Sequence, residues 1–164
     1  MHLMPEDSFK RLKARWDNFV KHIDDPKLAD VEITLSMLML NKVDDLVTIF
    51  SCQGHPTAER PRAVGSMMFG VRDPKPVYRF YELLQTALSA NTKEIQLVKL
   101  IIQRKRDVTL RGIVDPTPWY PVWTVTWDVN LDNAAETWLQ VNNAAVQVAA
   151  EWKGVTHVSD QAGL

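Results

Sequence analysis

Apolar residues recur at three- and four-residue steps from the start of the chain: Phe9, Leu12, Trp16, Phe19, Val20 and Ile23. That spacing places them on one stripe of a helix, with Asp7 or Ser8 positioned to cap it. Asp25-Pro26 restarts a second helix, a capping carboxylate followed by proline at the first helical position. Leu28, Val31, Leu35, Leu38 and Met39 supply its stripe. Residues 1–43 therefore read as a helical hairpin joined by a very short turn.

The pattern changes at Asp44-Asp45. Leu46 to Phe50 reads as a buried strand, Ser51 to Arg62 as a loop, and Val64 to Val71 as a second strand. Asp73 and Pro74 then start a helix with the stripe Val77, Phe80, Tyr81, Leu84 and Leu88. The same order comes again. Ile95 to Arg106 reads as a long strand, extended or bulged through Thr109 to Val114, and Pro116, Pro118 and Pro121 punctuate the loop after it. Trp123, Val125, Trp127 and Val129 alternate with Val122, Thr124, Thr126 and Asp128, the period-two signature of a half-buried strand. Asn133 and Glu136 form a capping box ahead of the stripe Ala135, Trp138, Val141, Ala145, Val148 and Trp152, and Gly154 ends the helix before a loose tail at 159–164. The whole is a single α+β domain: the helical hairpin, then two ββα units (44–158) forming a sheet with helices packed on one face.

Composition narrows the function classes. The 164 residues are 46% hydrophobic and 24% charged with a formal net charge of −1, so no global field favours nucleic acid or an acidic membrane. A single cysteine rules out an internal disulfide framework and fits a reducing compartment. No apolar run approaches the roughly 20 residues of a membrane span. Soluble, cytoplasmic and free of membrane is the expectation.

Candidate chemistry concentrates where the first strand ends. Ser51, Cys52, Gln53, Gly54 and His55 place a hydroxyl, a thiol, an amide, a glycine and an imidazole in five consecutive positions. A thiol becomes nucleophilic when a neighbouring cation lowers its pKa, and His55 comes close enough after Cys52 to meet it in a tight turn. That makes Cys52 and His55 the catalytic candidates. Gly54 permits a positive φ, and successive N–H groups in such a turn form an anion-binding nest. Ser51, Gln53 and Gly54 would then hold a small anionic or nucleotide-like ligand, with Arg60 and Arg62 neutralising it. The plainer alternative is a connecting loop with Cys52 buried as a small hydrophobe. A metal site is not expected, because Cys52 and His55 would need help from distant His22, His157 or an aspartate. Lys10, Arg11, Lys13 and Arg15 read as the solvated face of the first helix. Trp119-Tyr120, set among prolines, is an aromatic pair that reads as a stacking platform or a protein-contact anchor, with core or loop packing as the plainer alternative. Glycine-rich phosphate loops and the familiar hydrolase and zinc-protease motifs are absent, so no cofactor is indicated.

From Phe9 to Val71 the chain resembles the tRNA wybutosine-synthesising protein 3 family. The similarity rests on Asp30, Ile33 and Asn41, then Thr48-Ile49-Phe50-Ser51-Cys52-Gln53-Gly54-His55. The family's Ser-Ser-Cys-Ser-Gly-Arg motif is matched at Ser51, Cys52 and Gly54, and replaced at Phe50, Gln53 and His55. The resemblance implies S-adenosylmethionine-dependent methyl transfer to tRNA; the near-neutral charge argues against a nucleic-acid partner. The leading expectation is a small-ligand-binding protein with its site at residues 51–55, with catalysis left open. The alternative is a non-catalytic interaction module.

Overall fold

A computed structural model of the chain describes residues 3–23, 30–90, 97–105 and 119–153. Its strands are β1 (Leu46–Cys52), β2 (Arg62–Val71), β3 (Lys99–Lys105) and β4 (Tyr120–Asn130). Its helices are α1 (Glu6–Val20), α2 (Thr34–Leu40), α3 (Lys75–Ala90) and α4 (Ala134–Trp152), with 3-10 turns at Val31–Ile33 and Leu131–Asn133 leading into α2 and α4. The strands pair antiparallel throughout in the order β1-β2-β4-β3, which leaves β1 and β3 as edges. Among the described residues no helix is long and apolar enough to cross a membrane.

The α+β class and the two ββα units are those the sequence predicts. Alternation along β4 sorts the layers. Trp123, Val125, Trp127 and Val129 enter a core with Phe69, Phe80, Leu84, Val141 and Met37, so α2, α3 and α4 share one face of the sheet. Tyr120 and Val122 meet Met4, Phe9, Leu12 and Val47 in a smaller cluster. That cluster seats α1 on the other face, where each buried anchor contributes about 1.5–3 kcal/mol before entropy is counted. The first half of α1 thus lies on the face opposite α2, while Trp16 and Phe19 pack against the main core and Lys13 reaches the end of α2.

A β-bulge in β1 decides which way the end of the strand faces. The register runs Thr48 opposite Phe69, then Phe50 opposite Met68 and Ser51 opposite Met67, with Ile49 as the extra residue. One extra residue reverses which face every later side chain takes. Ser51 therefore joins Met67 on the α2–α4 face, while Phe50 and Cys52 turn to the α1 face. Without the bulge Cys52 would point into the main core.

Local details differ from the sequence reading for identifiable reasons. α1 starts at Glu6 behind Pro5, without a side-chain capping bond, and Ser8 is buried within its first turn. Across the 3-10 turn and α2 the buried residues are Ile33, Ser36, Met37 and Leu40, while Val31 is 67% and Leu35 42% exposed. The 3-10 turn before α2 has three residues per turn, which shifts the phase of the stripe. Asn133 does occupy the N-cap of α4 but makes no capping bond. Lys13 is no solvated surface group: its Nζ donates to the carbonyls of Asn41 (2.9 Å) and Val43 (2.8 Å) beyond α2. The Asp25-Pro26 restart, the Thr109–Val114 extension, Pro116, Pro118, Gly154 and the tail lie outside the described residues.

Candidate functional site

The corner where β1 ends is built around Gln53 and Gly54. Gly54 has φ +84, the left-handed region that other residues adopt only under strain, and it is buried. A Cβ there would also press on Val129 Cγ2 at 2.8 Å and on the backbone of Val64 and Gly65. Gln53 is fastened on three sides. Its N–H donates to Asp30 Oδ2 at 2.7 Å, its Oε1 accepts the Glu32 N–H at 3.1 Å, and its carbonyl accepts the Trp138 indole N–H at 2.9 Å. These bonds tie β1 to the turn ahead of α2 and to α4. Gly65 completes the packing, because a side chain there would collide with the Trp127 indole.

Against this fixed backbone three reactive groups converge. Donor atoms of Asp30, Cys52 and His55, one from each residue, all lie within 4.8 Å of one another. His55 Nε2 stands 3.4 Å from Asp30 Oδ1, with the imidazole 61% exposed and the carboxylate 25% exposed. Asp30 sits at the N-cap of the 3-10 turn yet spends no side-chain oxygen on capping it. One carboxylate oxygen holds Gln53 and the other faces His55. The bulge has already turned Cys52 to this side.

The remaining candidates are distributed differently. Ser51 Oγ donates to Met37 Sδ at 2.8 Å on the opposite face, so the hydroxyl serves packing. Gln53 and Gly54 serve the scaffold, and the Gln53 N–H that an anion nest would use is taken by Asp30. Arg60 closes a turn with Thr57, and Arg62 opens β2 opposite Asn130; both are exposed, and neither sits in the turn with Cys52 and His55. The aromatic pair splits. Tyr120 is buried in the α1 cluster as the first residue of β4, while Trp119 is 56% exposed.

Beside the corner, a groove of about 270 Å³ separates α1 from β1, lined chiefly by Leu12, Trp16, Phe19, Ile49 and Phe50, with Arg15 at its side. Phe50 is 55% exposed and shares the α1 face with Cys52 two residues on.

The geometry decides between two chemistries for the cluster. A Cys-His-Asp relay needs the acid on one ring nitrogen and the nucleophile on the other. Here one nitrogen of His55, one oxygen of Asp30 and the sulfur of Cys52 lie within 4.8 Å of one another, and no bond from Cys52 to the imidazole accompanies them. The three groups converge on one point, which is how groups hold something between them. Sequence reasoning on residues 51–55 did not bring Asp30 into the chemistry, since 23 positions separate it from Gln53 and a carboxylate ahead of a helix has a capping explanation. No protein-family model, curated protein or solved structure matches the chain.

Proposed function

We propose that this protein binds a small ligand at the corner where β1 ends, held by Asp30, Cys52 and His55. One observation carries the reading: three side chains with simpler individual fates are aimed at a common point by a bulge, a positive-φ glycine and a doubly used carboxylate. Asp30 both fills the N–H that a phosphate would need and adds negative charge. The ligand class this favours is cationic or electrophilic rather than anionic or nucleotide-like. A free thiol in the site fits a reducing compartment such as the cytoplasm.

Native mass spectrometry of gently purified protein tests the reading. A mass retained by the wild type should be absent from His55→Ala, whose melting temperature should match the wild type because the ring is largely exposed. Retention of that mass in His55→Ala and in Cys52→Ser would move the site elsewhere. The exposure of Trp119 favours a second reading, a protein-contact surface. In that case Trp119→Ala would weaken a complex that His55→Ala leaves intact.

A further inference from the structure

We infer that Asp30, Cys52 and His55 form a mononuclear site for a divalent transition-metal ion, with zinc the best fit. The inference rests on the ligand-site reading above and specifies its chemistry. A thiolate, an imidazole and a carboxylate together make a borderline-soft donor set suited to zinc, and unsuited to calcium or magnesium, which take oxygen ligands. Cys52 and His55 are separated by two residues, a spacing common in zinc sites, and Asp30 closes the set from a separate segment.

The distances fit coordination. Zinc–nitrogen and zinc–oxygen bonds of about 2.0–2.2 Å at a tetrahedral angle put the two donor atoms about 3.4 Å apart. His55 Nε2 and Asp30 Oδ1 are 3.4 Å apart. A charge-assisted hydrogen bond would draw them to about 2.7–2.9 Å. Cys52 Sγ lies within 4.8 Å of a His55 nitrogen and an Asp30 oxygen, where coordination asks for about 3.6 Å. The support around the ligands is already built. Asp30 Oδ2 accepts the Gln53 N–H, which orients Oδ1, and Gln53 is itself pinned by Glu32 and Trp138. Outer contacts of this kind fix ligand geometry in metal sites. Exposure of the imidazole leaves the fourth position to solvent, the arrangement of an exchangeable site. Binding converts the Cys52 thiol to thiolate and releases one proton to solvent for each ion bound.

The test is titration of the full, metal-stripped chain with cobalt(II), then displacement with zinc. One equivalent of cobalt should produce a thiolate-to-cobalt charge-transfer band and the visible bands of a four-coordinate ion, and zinc should abolish both. Cys52→Ser should lose the charge-transfer band. His55→Ala and Asp30→Asn should each weaken zinc binding by about 100-fold or more, above the range typical of outer-shell changes. His22→Ala, an exposed histidine on another element, should bind as the wild type does. Asp30→Asn keeps an oxygen for the Gln53 N–H, so its loss of binding is not a loss of fold. Absence of the charge-transfer band, or binding unchanged in Cys52→Ser and His55→Ala, overturns the metal assignment. If native mass spectrometry then finds a non-metal mass that His55→Ala loses, the ligand site survives and only its metal chemistry falls; if it finds none, both fall.

Discussion

The two ends of β1 use one device and reach opposite results. At the start of the strand, Asn41 reaches out from the end of α2 and its Oδ1 accepts the Thr48 N–H at 2.9 Å. At the far end, Asp30 reaches out from ahead of α2 and its Oδ2 accepts the Gln53 N–H at 2.7 Å. Each polar side chain satisfies an edge N–H that β-sheet pairing leaves open. The difference lies in what remains. The amide of Asn41 spends its Nδ2 on Met37 O and Thr48 Oγ1, is 8% exposed, and is sealed by Lys13 alongside. Asp30 keeps a charged oxygen at the surface, aimed at Cys52 and His55. A polar residue with every bond spent is scaffold; one with a charge left over offers chemistry.

The largest effect should come from the backbone beneath the open end. Gly54→Val imposes a β-branched side chain on φ +84 and presses a Cβ against Val129 Cγ2. Left-handed strain and overpacking together are expected to cost about 4 kcal/mol. Urea denaturation would check this, and a loss under about 1 kcal/mol would mean the corner is not held as described. Next comes Asn41→Asp, which writes the open end's chemistry into the closed one. The carboxylate loses both donor contacts and carries a charge into a buried position, at an expected cost of about 3 kcal/mol, partly recovered as pH falls through its burial-raised pKa, with the recovery complete by about pH 4. Unfolding curves at neutral and acid pH would expose that recovery.

How far the sequence foretold this contrast depends on the range of each signal. The element order was legible because period-two alternation in 122–129 and helical spacing in 77–88 are local signals. Ser51 to His55 was legible as a place of interest, because small and polar groups crowd the end of a strand. Its internal division was not. Which residues serve packing and which face outward depends on the bulge at Ile49, and a bulge is a property of two paired strands. The roles of Asp30 and Lys13 depend on elements that meet only in the fold. The split of Trp119 from Tyr120 has the same origin, since α1 covers only part of its face of the sheet.

Lys13 sharpens the comparison through pH. Burial pushes its ammonium down to about 8 from the ordinary 10.5, with Asp44, Asp17 and Asp45 opposing the shift. Between those two values the unfolded chain holds a proton that the folded chain has released, so stability should rise with pH across that window. The two carbonyl acceptors favour the charged form and reduce the gain, which is expected at about 1–3 kcal/mol. The neutral amine still has two N–H groups for Asn41 and Val43. Denaturation at pH 7.5 and 10 in wild type and Lys13→Met would isolate the effect, because the other titrating groups cancel in the difference. No relative gain by the wild type would mean that Lys13 stays charged, with its carbonyl bonds outweighing burial.

The smallest expected effect on stability is the most telling for function. Asp30→Asn retains an oxygen to accept the Gln53 N–H and removes only the charge. A neutral acceptor bonds less strongly than a charged one, so the cost should stay under about 1 kcal/mol. The same change should remove the ligand, because the position aimed at His55 and Cys52 is then an uncharged amide nitrogen with no lone pair to offer. Asn41→Asp and Asp30→Asn thus form a reciprocal pair: one should damage stability, the other binding. If Asp30→Asn instead unfolded the chain as readily as Asn41→Asp, both ends of β1 would be scaffold. Binding to Asp30→Asn that equals wild type, in a chain that folds as wild type does, would leave the charge at that corner without a function.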